Sequence, residues 1–124
     1  MKIRIKGNAI RLRLTRTEVE QFGKEGYLEE RTEFVNSVFV YALCSSKNNK
    51  ALSATFADSK ISMNVPDAIA KEWVDSNKVG YSGEMEIAGG KFLSLLLEKD
   101  FKCVDSDRQE DQSDNYEHPL LHCK

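Results

Sequence analysis

The chain has 124 residues, of which 40% are hydrophobic and 31% charged, with two prolines and a net charge of −2 at neutral pH. A chain of that length fits one domain that buries roughly two thirds of the surface its unfolded form exposes, and the composition excludes a disordered or fibrous protein. No apolar run approaches the ~18 residues of a membrane span, so no membrane partner is expected. Three cysteines, at 44, 103 and 123, make no disulfide framework, and the start at Met1-Lys2-Ile3-Arg4 is strand pattern rather than signal sequence. The expectation is a cytoplasmic location. Charge is unevenly placed: Lys2, Arg4, Lys6, Arg11, Arg13 and Arg16 crowd one end, and Asp105, Asp107, Glu110, Asp111, Asp114 and Glu117 the other. Such a chain binds a polyanion or binds itself.

Lys2 to Lys6 alternates cation and isoleucine, the period of a half-buried strand. Gly7-Asn8 supplies a tight turn, and Ile10 to Leu14 alternates again, which predicts a hairpin with one apolar and one cationic face. Thr15 stands three residues before Glu18, the capping-box spacing. Val19 and Phe22 give the helix its apolar stripe, and Gly23 or Gly26 stops it. Tyr27 to Phe34 reads as a polar strand carrying Glu29, Glu30 and Glu33, and Asn36-Ser37 as a turn. Val38 to Leu43 is a continuous β-branched and aromatic run, which predicts a strand buried on both faces. Ser45 to Lys50 is a polar loop.

The stretch from Ile3 to Phe22 then recurs, without a gap and offset by 51 positions, from Ala54 to Trp73. Ile3 and Ile5 fall on Ala54 and Phe56, Gly7-Asn8 on Asp58-Ser59, and Ile10, Leu12 and Leu14 on Ile61, Met63 and Val65. Pro66 takes the place of Thr15, at a helix's first turn, where a missing N–H is harmless. Phe22 falls on Trp73, in a stripe with Ile69 and Ala70. Val79 to Met85 is the next strand, Ala88-Gly89-Gly90 a turn, and Phe92 to Leu97 reads as the counterpart of Val38 to Leu43. Each half is therefore strand, strand, helix, strand, strand.

The expected fold class is α+β: a β-rich, barrel-like domain with two short helices, built from two similar halves about a pseudo-twofold axis, since a closed or nearly closed barrel removes exposed edges. One domain spans 1–100, with halves at 1–46 and 50–100, and an acidic tail covers 101–124.

Two resemblances bear on this reading. Lys6-Gly7-Asn8-Ala9-Ile10 with the alternation to Leu14 resembles the start of swapped-hairpin antitoxins and transition regulators. That likeness implies a homodimeric barrel that binds DNA through a basic face, although Ala9 and Thr15 stand where that family often has serine and proline. Lys2 through Leu14, with Glu98-Lys99-Asp100-Phe101-Lys102-Cys103 and Asp111 to Asn115, is similar over the full length to a family of small, uncharacterised bacterial proteins. That resemblance implies bacterial origin and a single domain, and it assigns no functional residue.

Three constellations carry chemistry. Lys2, Arg4, Lys6, Arg11 and Arg13 share one face of the first hairpin, which could follow the phosphates of a nucleic acid or hold another anion. The overall acidity argues against DNA, and no aromatic interleaves the cations to stack bases. Cys103, His118, His122 and Cys123 offer two thiols and two imidazoles, the donor set of a structural zinc, at irregular spacing. Alternatively the acidic tail packs on the chain's own basic hairpin, pinned by Tyr116 and Leu120. Both histidines lie in the tail, so none pairs with Cys44, and no nucleophile, phosphate-loop or dinucleotide motif occurs. The favoured expectation is a non-catalytic binding module without a resident cofactor; the alternatives are a DNA-binding regulator using the basic hairpin and a metal-stabilised domain.

Overall fold

The computed structural model describes residues 1–47 and 50–101. Eight strands and two helices follow in the expected order: β1 (Lys2–Lys6), β2 (Ala9–Leu14), α1 (Arg16–Glu25), β3 (Tyr27–Glu33), β4 (Val38–Ser46), β5 (Ser53–Ala57), β6 (Lys60–Pro66), α2 (Asp67–Asp75), β7 (Gly80–Ile87) and β8 (Lys91–Lys99). The turns between β1 and β2 and between β5 and β6 have the left-handed backbone that two-residue hairpins require, at Gly7 and at Asp58 and Ser59.

The strands form two four-stranded sheets, and the expected barrel is corrected. The first sheet has the order β1-β2-β8-β7 and the second β3-β4-β6-β5. In each, a hairpin from the first half of the chain meets a hairpin from the second through a parallel pair of central strands, β2 with β8 and β4 with β6. Closure would need the edge strands of the first sheet, β1 and β7, to bond to those of the second, β3 and β5, and among the described residues no such ladder forms. Moreover β2 and β6 lead at once into helices: Thr15 caps α1, and Pro66 has no N–H with which to extend a ladder.

Thr15 and Glu18 make the predicted capping box, Glu18 N–H donating to Thr15 Oγ1 at 3.3 Å and Thr15 N–H to Glu18 Oε1 at 2.8 Å. Helix α1 runs through Gly23 and ends at Gly26 in the left-handed region. Gly23 is needed for packing, because a Cβ there would lie 2.7 Å from Val74 Cγ1 on α2. Pro66 is the residue before α2 rather than its first turn.

Alternate residues of the strands, mostly the central ones, fill one core. Leu12, Leu14, Leu95 and Leu97 come from the first sheet, Leu28, Leu43, Met63 and Val65 from the second, and Val19, Phe22, Ala70 and Trp73 from the helices. Phe22 and Trp73, the two residues aligned in sequence, meet edge to face with ring centroids 6.3 Å apart. Trp73 is fully buried and its Nε1 donates to the Val79 carbonyl at 3.0 Å. The periodicity is not perfect: Phe56 is 70% exposed although Ala54, two residues earlier, is buried.

Trp73→Ala removes the largest buried side chain and leaves its neighbour Phe22 without a ring partner. An urea melt is expected to show a loss of about 3–5 kcal/mol; a loss below about 1 kcal/mol would mean that the core is not built around this pair.

Candidate functional site

Because Leu12, Leu14, Leu95 and Leu97 point into the core, the alternate residues of the first sheet point outward. Strand register sets them in rows. Lys6 lies opposite Ala9, Ala9 beside Ser94, and Ser94 opposite Glu84. The next row is Arg4, Arg11, Leu96 and Ser82, and the third is Lys2, Arg13, Glu98 and Gly80. In the first row the long side chains Lys6 and Glu84 stand on the edge strands β1 and β7 with the small Ala9 and Ser94 between them, and in the second row Ser82 leaves the β7 edge low. The result is a trough of about 420 Å³ with Arg4, Lys6 and Arg11 on one side, Glu84 on the other, and an apolar floor that includes Leu96 and parts of Ile10 and Leu95. That size lies in the range of ligand sites.

All five predicted cations share this face, and their surroundings differ. Glu98 lies 3.3 Å from Arg13 and 3.7 Å from Arg11, and Asp100 3.2 Å from Lys2. Arg4 and Lys6 have no ion-pair partner among the described residues. Arg4 sits directly across from Arg11 in the ladder, an arrangement of like charges that destabilises a sheet unless a counter-charge is nearby. On the far wall, Ser94 Oγ donates to both Glu84 carboxylate oxygens, at 2.9 and 3.0 Å.

The outer face of the second sheet is matched internally. Lys60 Nζ lies 4.9 Å above the Tyr27 ring and donates to its hydroxyl at 2.6 Å, while the hydroxyl donates to Glu29 Oε1 at 2.5 Å. Arg31 is 3.7 Å from Glu29 on its other side. Burial, with the bond to Glu29, raises the Tyr27 hydroxyl's pKa, and Lys60 pulls against it. Cys44 projects on this face between the strands of Tyr27 and Lys60 and is half-buried, not a core residue. Burial pushes its thiol up, with Lys60 opposing, so it is no activated nucleophile.

One cluster lay beyond sequence reasoning. The Met1 terminal ammonium pairs with Glu18 Oε2 and, at 2.9 Å, with Glu30 Oε2, while the Tyr41 hydroxyl donates to the Met1 carbonyl at 2.8 Å. Glu18 thus serves the helix cap with one oxygen and the ammonium with the other. The signal available was the pair of glutamates at 18 and 30, but strand pairing between β1 and β2 and between β3 and β4 decides that they converge on residue 1. A second hollow, of about 280 Å³, lies between the helices, lined by Gly23, Asp67, Lys71, Val74 and Asp75 among others. Ser45 Oγ donates to Asp67 Oδ1 at its edge.

The four predicted zinc ligands, Cys103, His118, His122 and Cys123, lie outside the described residues. Among the described residues no group of His, Cys, Asp and Glu is placed to hold a metal ion, and no helix is long and apolar enough to cross a membrane.

The architecture is thus that of a two-sheet α+β protein with a cation-walled trough on one outer face. The chain belongs to the family of unknown function DUF7009, whose model matches residues 1–120, in keeping with its likeness to a family of uncharacterised single-domain proteins. No curated protein and no solved structure matches it.

The ammonium cluster gives stability a two-sided pH dependence. Burial disfavours the Met1 ammonium, but hydrogen bonds and charge from Glu18 and Glu30 outweigh it and raise its pKa above the ordinary 8.0. Its contribution is full below pH 8.0 and is lost as pH rises through the raised value. Burial likewise disfavours ionised Glu18, yet the ammonium and Thr15 hold it below the ordinary 4.5, so its contribution is full above that pH and lost on acidification. Urea melts across pH are expected to show both limbs, and Glu18→Gln to flatten them and to lower mid-range stability by about 1 kcal/mol. An unchanged pH profile in that variant would refute the cluster's role.

Proposed function

We propose that this chain is a non-catalytic binding module whose ligand is an acidic peptide segment seated in the trough of the first sheet. One observation carries the reading: Arg4 and Lys6 stand beside Arg11, without an ion-pair partner among the described residues, above an apolar floor. Carboxylates would neutralise the facing arginines, and an apolar side chain would cover Leu96. Glu84 on the opposite wall favours a peptide over a phosphate polymer, since a peptide's N–H groups donate to carboxylates whereas phosphates repel them. DNA binding through the hairpin is less favoured for the same reason. Glu84 and Glu98 share the face, and the cations occupy only two of its four strands.

Two further inferences complete the picture. The duplication of the halves is supported by register. Lys2 pairs with Arg13 and Ser53 with Asn64, and both members of the second pair follow those of the first by 51 positions. A pseudo-twofold axis relating β1-β2-α1-β3-β4 to β5-β6-α2-β7-β8 would also exchange the two sheets. We further place the module in the cytoplasm as a single domain over 1–100, on the cysteine count and the shared core.

Fluorescence anisotropy with a labelled poly-glutamate peptide tests the binding reading. The wild type is expected to bind, more weakly as salt rises, and Arg4→Gln/Lys6→Gln to lose about tenfold or more in affinity with its melting temperature not lowered. Equal affinity in the double variant, or preference for duplex DNA over the peptide, would overturn it.

A further inference from the structure

On the reading of the trough as an acidic-peptide site, we propose that its resident occupant is the chain's own C-terminal segment, which carries Asp105, Asp107, Glu110, Asp111, Asp114 and Glu117. The segment would therefore compete with any external acidic partner.

The described part of the chain ends where this docking would begin. Strand β8 finishes at Lys99, and the Asp100 N–H donates to the Leu14 carbonyl at 2.8 Å. The Asp100 carboxylate lies 3.2 Å from Lys2, the first cation of the outer face. From Lys2 the cationic column continues through Arg4 to Lys6 along β1, roughly 13 Å at ~3.3 Å per residue. Asp105 follows Asp100 by five positions, a length of chain whose maximum span of about 17 Å exceeds that column.

Charge complements charge: the cations left unmatched by Glu98 and Asp100 face a segment with one arginine among its acids. Tethering adds the rest. A ligand tethered by a few residues to its own site acts at an effective concentration in the millimolar range, so individually weak exposed ion pairs suffice for occupancy. An external partner must then exceed the tail's local concentration, which makes the tail a threshold on binding.

Zero-length carbodiimide cross-linking of the full chain, with peptide mapping by mass spectrometry, reads the contact directly. The Lys2–Asp100 pair is the internal control. Lys6 is expected to link to one or more of the six tail carboxylates, with the yield falling about tenfold between low salt and 1 M, where screening shortens to ~3 Å. Mixing isotopically light and heavy protein should give links within one chain only. Links only between chains, or a Lys2–Asp100 link without any from Lys6 to the tail, would overturn the proposal. In parallel, replacing the six acids by Asn or Gln should tighten poly-glutamate binding about tenfold. Binding that is equal with and without the tail acids sinks the tail's role while leaving the trough as a site. Failure of the neutralised variant to bind at all sinks the trough reading itself.

Discussion

The structure depends on two parallel ladders, β2 against β8 and β4 against β6. Each joins strands from opposite halves of the chain: Leu12 lies beside Leu97, and Leu43 beside Met63. No hairpin here could bury its apolar face alone, because a two-stranded ribbon is marginal in water. Pairing across halves gives each sheet four strands and places the leucine layer of one over that of the other. The helices then close one side, with Trp73 and Phe22 in contact at the point where α1 and α2 meet and Gly23 allowing their approach. Such long-range pairing must form before most of the core is rewarded, so folding should be cooperative and slow for this size.

The same ladders create the trough. Its cationic wall comes from β1 and β2, and its opposite wall and part of its floor from β7 and β8. Neither hairpin alone has the hollow, so any ligand at this face senses whether the two halves are paired. The placement of charge is local in origin but long-range in consequence. Alternation on β1 and β2 sets five cations on one face, while the parallel register brings Glu98 to Arg13 and leaves Arg4 and Lys6 farther along the column.

Much of the fold was legible from residues. Alternation located the hairpins, the Thr15 and Glu18 spacing located α1, and the offset repeat predicted the shared element order. The error was closure: periodicity says which face of a strand is buried and nothing about whether edges meet. The half-burial of Cys44, just beyond the run Val38 to Leu43, was hidden for a related reason. A continuous apolar run hides which side a central strand presents, and the outer side of β4 is covered only partly, through Tyr27 and Lys60. The cationic face itself was legible, whereas the hollow was not, because Ser82, Glu84 and Ser94 reach it through the parallel pairing of β8 with β2, which no local pattern encodes. The convergence of Glu18 and Glu30 on the Met1 ammonium was hidden in the same way.

The most direct test of a ligand-accepting first sheet is an amide NMR titration of full-length protein with a poly-glutamate peptide. Shifts confined to outer-face residues of both hairpins, Arg4, Ala9 and Arg11 on one and Ser82, Ser94 and Leu96 on the other, are the predicted result. Shifts centred on Gly23, Lys71 and Val74 between the helices, or none at all, would contradict it.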